Sequence, residues 1–550
     1  MSDTIHISVE GGSLFVRSPF YLKEICKELP GRKWNAERKV WAIPATPHAA
    51  RTAKMAFGGK AVLCQKTQAL VDEAERLMES NRALKRTDLP EPPSAKTPCW
   101  RHQRESFWFA EGKRTSMLAL GMGCGKSKVA CDLVNHWKAE RILIVCPLSV
   151  VPVWQEQFER HSSEPWVFIF RENETIARFA KRVKMLTTQK ATGEFRTAIV
   201  LNYDAAWREP FIDLATSIGW DALILDESHR CKAPGGKAAR GMASIGRQAG
   251  RILALTGTPM PHSPMDIYAQ FRILEPSIFG TNYHSFEQRY AIKGGFEGRQ
   301  VIGYRNQDDL REKFFSIAYQ VDRSVLDLPQ ALHIERMFDL TGEARKIYDK
   351  LEADFVAQVK NGEIVASNAM VKLLRLQQIT GGTVAVEAED ATRKDRVSDD
   401  KREILLDIFA DLPHGEPIVV FCRFVSDLAA VHEAAKECGR SSLELSGSQN
   451  DLAAWKAGEA PILAAQIQSG SVGVDMTRAA YVVFYSVGFS LGDYEQALAR
   501  SHRPGQDRAV TYYHLVANNT VDEHVYKALE ARKDAVTEIL KGKRLGEACE

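Results

Sequence analysis

The ten cysteines, at positions 26, 64, 99, 124, 131, 146, 231, 422, 438 and 549, include no CxxC pair, and none stands at metal-ligand spacing from a histidine. This argues against a disulfide framework or a structural zinc site and for reduced thiols in a cytoplasmic protein. Long apolar runs are also missing. The most apolar window, 142–154, is shorter than the ~20 residues a membrane-spanning helix needs and contains two prolines. The opening MSDTIHISVE lacks a basic segment followed by an apolar one, so no signal peptide is expected. Net charge is nearly absent: 73 basic residues face 70 acidic ones, and partners must be read from local charge. At 550 residues the chain has room for roughly three or four domains.

What the chain does contain is the stretch Gly121-Met122-Gly123-Cys124-Gly125-Lys126-Ser127, between an apolar run ending at Leu120 and a run of helical periodicity from Lys128. A strand, a glycine-rich turn and a helix start present backbone N–H groups and the positive helix end to an anion. Lys126 adds a point charge for the outer phosphates of a nucleotide such as ATP, and the Ser127 hydroxyl is placed to ligate Mg2+. The strict motif wants Gly or Ala where Leu120 stands. Gln103, 18 residues ahead of Gly121, carries an amide donor and acceptor suited to an adenine edge. Further apolar strands follow at 141–146, 198–201 and 220–225. The last runs into Asp226-Glu227, where Asp226 suits magnesium and Glu227 the polarisation of an attacking water. A fourth, 252–255, ends in Thr256-Gly257-Thr258-Pro259, whose hydroxyls can couple the nucleotide site to its surroundings. Buried strands alternating with helices predict parallel sheets with ligands at the strand C-termini.

The second half repeats the pattern, with strands at 417–422, 461–465 and 481–485. Between the last two lie the small residues 469–475, including Ser471, Gly473 and Asp475, which allow close approach to a phosphate chain. Gln496, Arg500 and Arg503, spaced four and three apart, are expected on one helical face, the arginines reaching the γ-phosphate.

The motifs 121–127, 147–154, 225–230 (LDESHR), 255–259 (LTGTP), 373–382 (LLRLQQITGG) and 496–506 (QALARSHRPGQ) together resemble helicase superfamily two, and the last two resemble its Swi/Snf group of double-stranded DNA translocases. Small prokaryotic or phage-type members are the nearer likeness. Ser228 replaces the usual alanine of the DEAH box and Ser127 the more frequent threonine, both mild changes. The resemblance implies two RecA-like parallel-sheet lobes, 98–277 and 401–545, with a helical protrusion and linker, 278–400, between them. It also implies ATP and Mg2+ as cofactors, a coupling role for His229 beside Thr256 and Thr258, and DNA contacts through the loops at Pro147, Ser149, Asn202 and Ser471.

Residues 1–60 carry ten Lys or Arg against five Asp or Glu. Trp34 and Trp41 sit among Arg32, Lys33, Arg38 and Lys39, either to stack on bases while the cations neutralise phosphates, or to fill a small hairpin core. The segment resembles the HARP domain of annealing helicases. A helical piece and a Pro-rich linker, 61–97, complete a small α+β N-terminal region. The expected activity is an ATP-dependent motor on double-stranded or forked DNA, functional as a monomer. A strand-separating DNA or RNA helicase and a nucleotide-gated clamp without turnover stand as alternatives.

Overall fold

The computed structural model describes residues 4–29, 31–83, 88–172, 174–188, 196–294, 300–360, 366–387, 392–468 and 474–541. It divides into one unit that runs to Val325 and takes in the chain again from Val536, and another from Leu326 to Ala535. Among the described residues no helix is long and apolar enough to cross a membrane.

The first unit is organised on a seven-stranded sheet in which every neighbouring pair is parallel. Its central strands, Thr115–Leu120, Arg141–Cys146, Ala222–Asp226 and Arg251–Thr256, are almost wholly buried. Helices cover both faces, which is why these strands read as unbroken apolar runs without alternation. Strand Trp166–Phe170 lies at one edge and pairs with Arg196–Asn202. The opposite edge strand, Ala318–Val321, comes from far downstream and pairs with Thr115–Leu120.

That pairing corrects the expected insertion at 278–400. Its first part, through Ala318–Val321, completes the first sheet, whereas Ala331–Phe338 pairs with Val510–Ala517 in the second. Four- and eight-residue strands inside a helical, glycine-broken stretch leave no period long enough to recognise. The end of that expected linker holds the strand Thr392–Arg396, paired antiparallel with Thr383–Glu387, and the first turn of helix Asp400–Asp411.

The N-terminal region is a five-stranded sheet with helices Pro47–Phe57 and Gln65–Ala83. Its edge strand Ala61–Leu63 pairs in parallel with Ile5–Glu10, so the domain extends past the expected boundary at 60. Three residues are too few to announce a strand. Thr46 begins the first helix by accepting from the Ala49 N–H at 3.2 Å and also bonds Ser277 at 3.0 Å. Arg51 pairs with Glu312 at 2.6 Å. These contacts seat the N-terminal sheet on residues 277–313 of the same unit, where burial and the cations Lys313 and Arg51 push His48 down to about 3.

The second unit has a six-stranded sheet, also parallel throughout. Beneath it lies a buried polar knot. Lys401 Nζ meets Asp522 Oδ2 at 2.8 Å, with the two side chains 1% and 8% exposed. Asp522 Oδ1 also accepts from Thr380 at 3.0 Å, which ties LLRLQQITGG to the C-terminal helix Val521–Lys541. Removing one partner of such a pair strands a charge. Lys401→Ala is therefore expected to destabilise the second unit by ~3 kcal/mol or more, read as an earlier unfolding transition in denaturant.

Candidate nucleotide site

Strand register assembles the site. Thr256 stands opposite Ala119, Asp226 opposite Leu255, Leu225 opposite Val145 and Cys146 opposite Asn202. The chain therefore turns out of five neighbouring or near-neighbouring strands at one edge. There lie Gly121–Ser127, Asp226-Glu227, Thr256–Thr258, the Pro147–Ser149 loop and Asn202.

The turn after Leu120 needs its glycines for stated reasons. Gly123 and Gly125 have φ of 84° and 81°, which residues with a Cβ rarely adopt. Gly125 ends the turn as the cap of helix Lys126–His136. Lys126 Nζ donates to the carbonyl of Leu120 at 3.0 Å. Cys124 is buried, and burial raises its thiol pKa, so it is packing material and no nucleophile. Gln103 braces the turn: its Nε2 donates to Cys124 O at 3.2 Å and its Oε1 accepts from Trp100 N–H at 3.0 Å. His102 reaches the same Cys124 carbonyl at 3.0 Å. Met122 lies against Gly257, linking this turn to the Thr256–Thr258 loop.

Asp226 is 6% exposed, and burial together with the adjacent Glu227 holds its carboxyl well above the usual carboxylate range. Trp154 Nε1 donates to its Oδ2 at 3.2 Å and the Glu227 N–H to its Oδ1 at 3.0 Å. Glu227 takes a left-handed backbone, φ 51°, turning its carboxylate toward His229, whose Nδ1 lies 3.3 Å from Glu227 Oε2. The same Nδ1 stands 3.1 Å from Thr256 Oγ1, and Thr256 Oγ1 accepts from the Thr258 N–H at 3.1 Å. A continuous polar chain thus runs from Glu227 to Thr258. The serine that departs from DEAH is used: Ser228 Oγ donates to Gln270 Oε1 at 2.8 Å, and Gln270 Nε2 donates to Pro259 O at 2.8 Å. Gln270, and the contact that Trp154 of the 147–154 motif makes, escaped the sequence reading because each acts through a fold contact that no local spacing encodes.

In the second unit Gln496 and Arg500 lie on helix Leu491–Ser501, both buried. Arg503 falls in the turn beyond it, which corrects the expectation of a single helical face. The helix stops because the chain turns at Ser501 to Gln506, where Gln506 bonds the carbonyls of Ser501, Thr477 and Ala479. The turn nevertheless brings the arginines together: Arg500 and Arg503 reach the carbonyl of Val474 at 3.3 and 3.5 Å. The Asp475 carboxyl sits below its ordinary range, because hydrogen bonds from Thr477 and the nearby Arg503 charge outweigh its burial. Ser471 and Gly473 lie outside the described residues.

Of the candidate nucleic-acid contacts, Pro147 is buried and Ser149 exposed, beside the 69%-exposed Leu148. Trp34 and Trp41 pair edge-on across a hairpin, ring centroids 5.1 Å apart. They divide the two readings between them: Trp41 packs on the domain core, and Trp34 is 52% exposed. Arg38 pairs with Glu10 at 2.5 Å and lies over Phe15. Trp41 and Arg32 also wall a cavity of about 1000 Å³ shared with Arg289, Arg305 and Lys313.

The SNF2-related domain matches residues 59–382, and the helicase conserved C-terminal domain matches residues 400–505. The chain is 22% identical to an uncharacterized ATP-dependent helicase of Mycoplasma genitalium, over 77% of this chain and 40% of that one. It is 25% identical to the bovine DNA annealing helicase and endonuclease ZRANB3, over 80% of this chain and 40% of that one. It is also 25% identical to putative protein p41 of Acyrthosiphon pisum secondary endosymbiont phage 1, over 78% and 96% respectively. The chain thus spans about two-fifths of the first two relatives and nearly all of the phage protein.

Replacing His229 with alanine cuts the polar chain between Glu227 and Thr256. His229→Ala is expected to lose at least about fivefold more of any nucleic-acid-stimulated ATP turnover than of unstimulated turnover, measured by phosphate release.

Proposed function

Because the chain belongs to the SNF2-related family, matched over residues 59–382, we propose that it is a DNA-stimulated ATPase that moves along duplex DNA and remodels or re-anneals it. The observation that carries this reading is the common sheet edge, where the Gly121–Ser127 turn, the Asp226-Glu227 pair and the Thr256–Thr258 loop emerge in register.

Magnesium fits the residues present. Burial and the neighbouring Glu227 charge raise the proton affinity of the Asp226 carboxyl, a penalty that a divalent cation relieves. Asp226 and the Ser127 hydroxyl would hold the ion, which supplies charge neutralisation at the phosphates. The chain's own groups do the rest. The turn N–H groups orient the triphosphate, and Lys126 leaves the Leu120 carbonyl to take the outer phosphates. Glu227, positioned by His229, aligns the water. Arg500 and Arg503 from the second unit stabilise charge on the transferring group. Arginines delivered in this way are worth ~10³ to 10⁵ in rate, so their arrival gates hydrolysis.

Contacts through Ser149, Asn202 and Ser471 would grip the DNA backbone without reading sequence. The cavity walled by Trp41, Arg32, Arg289, Arg305 and Lys313 supports a role for the N-terminal region in holding a further length of nucleic acid. A relative described as an annealing helicase favours re-annealing over strand separation. Triplex displacement without unwinding of a tailed duplex is the outcome that distinguishes the two.

Lys126→Ala and Glu227→Gln are each expected to lower DNA-stimulated ATP turnover at least ~100-fold while the fold survives. Full turnover in either variant refutes the site. DNA stimulation should also weaken steeply between 50 and 200 mM salt, roughly as the number of phosphate contacts dictates.

A further inference from the structure

Gly121 opens the cradle with an ordinary backbone, so left-handed geometry does not account for it. Space does. A Cβ there would stand 2.6 Å from Arg323 Cγ, 3.0 Å from Arg323 N and 3.3 Å from Arg323 Cα. Arg323 is 202 positions away in sequence, and strand pairing brings it in: Ala318–Val321 runs beside Thr115–Leu120, and its last carbonyl, Val321 O, accepts from the Gly121 N–H at 2.8 Å. Asp322 Oδ1 accepts from the Ser324 N–H at 2.9 Å and turns the chain immediately afterwards. The guanidinium charge is felt at the Cys124 thiol, inside the turn.

The side from which Arg323 approaches is also defined. Its strand packs against helix Arg101–Ala110, where Tyr319 OH donates to Glu105 Oε2 at 2.7 Å in a buried contact. That helix carries Gln103, whose amide lies against Gly125. Arg323 and Gln103 therefore touch the cradle from elements packed on each other, on the flank away from Asp226 and Thr256, which lie across the sheet from Thr115–Leu120. With the phosphates in the turn and the metal-binding and water-aligning carboxylates on the other flank, the space on this one falls to the nucleoside.

We propose that Arg323 is a nucleotide-binding residue that packs its guanidinium on the base and ribose of bound ATP or ADP. A planar, weakly hydrated cation is suited to an aromatic face in a way that an ammonium is not. The placement has a second consequence. The first unit's long N-terminal run ends at Val325, so Arg323 lies on the last turn of chain before the second unit begins at Leu326.

The inference rests on the cradle being an ATP site, and the experiment separates the two. Isothermal titration of the full chain with ADP and, separately, with inorganic pyrophosphate compares wild type, Arg323→Ala and Arg323→Lys. The expected result is about tenfold weaker ADP binding in both variants, with pyrophosphate affinity within twofold of wild type, which also reports an intact cradle. ADP binding by Arg323→Ala at wild-type strength overturns the proposal. So does full rescue by lysine, or an equal loss for ADP and pyrophosphate, which would move Arg323 to the phosphates. Failure of the wild type to bind either ligand instead sinks the ATP-site reading beneath it.

Discussion

Parallel register in the first sheet is the constraint on which the rest of this structure depends. Backbone hydrogen bonds fix Thr256 opposite Ala119 and Asp226 opposite Leu255, so side chains from well-separated stretches of the chain leave the sheet at one level. A one-residue slip in either pair would reverse every buried side chain of that strand and displace the carboxylates from the cradle. Because both faces are apolar, it is the fit of side-chain shapes packed on each face, more than the apolar pattern, that resists such a slip. Core packing and site geometry are therefore one requirement met by one set of residues.

Given that frame, the chemistry follows from what burial does to charge. Asp226 and Glu227 sit side by side where water is scarce, and Lys126 rests on a backbone carbonyl instead of on either of them. The site sets up an electrostatic demand that phosphates and a cation would satisfy together. Tryptophan, tyrosine and glutamine contacts from four other elements hold that demand in place. Tyr203 OH, for instance, donates to the Asp226 carbonyl at 2.8 Å. The polar chain through His229 then provides a physical route by which a change at Glu227 reaches the loop at Thr258.

The second unit uses the same logic for different ends. Its sheet is equally apolar, but the residues under it form a buried ionic knot in place of a cradle. Lys401, Asp522 and Thr380 bind together three stretches separated by as many as 142 positions. Nearby, Arg423 bonds the Gln377 side chain, and Gln377 Nε2 donates to Val487 O at 3.0 Å. The string LLRLQQITGG, legible in the sequence as a signature, is thus in structural terms a polar clasp on the strand ends of the second sheet.

Much of this was written locally. Continuous Ile, Leu and Val runs specify doubly covered parallel strands, and glycines at 123 and 125 specify a turn that few other residues can make. The order of cradle, carboxylates and threonines marks loops that leave the first sheet at one edge, because each of these depends on neighbours within a few positions. The edge strand Ala318–Val321, the short strand Ala61–Leu63, the exit of Arg503 from its helix and the seating of the N-terminal domain on Ser277 and Glu312 were decided only by the folded chain. Each is too short or too dependent on a distant partner to carry a periodic signal of its own. Gly121 shows the division within one residue: the motif explains a glycine there, and only packing against Arg323 supplies the physical reason.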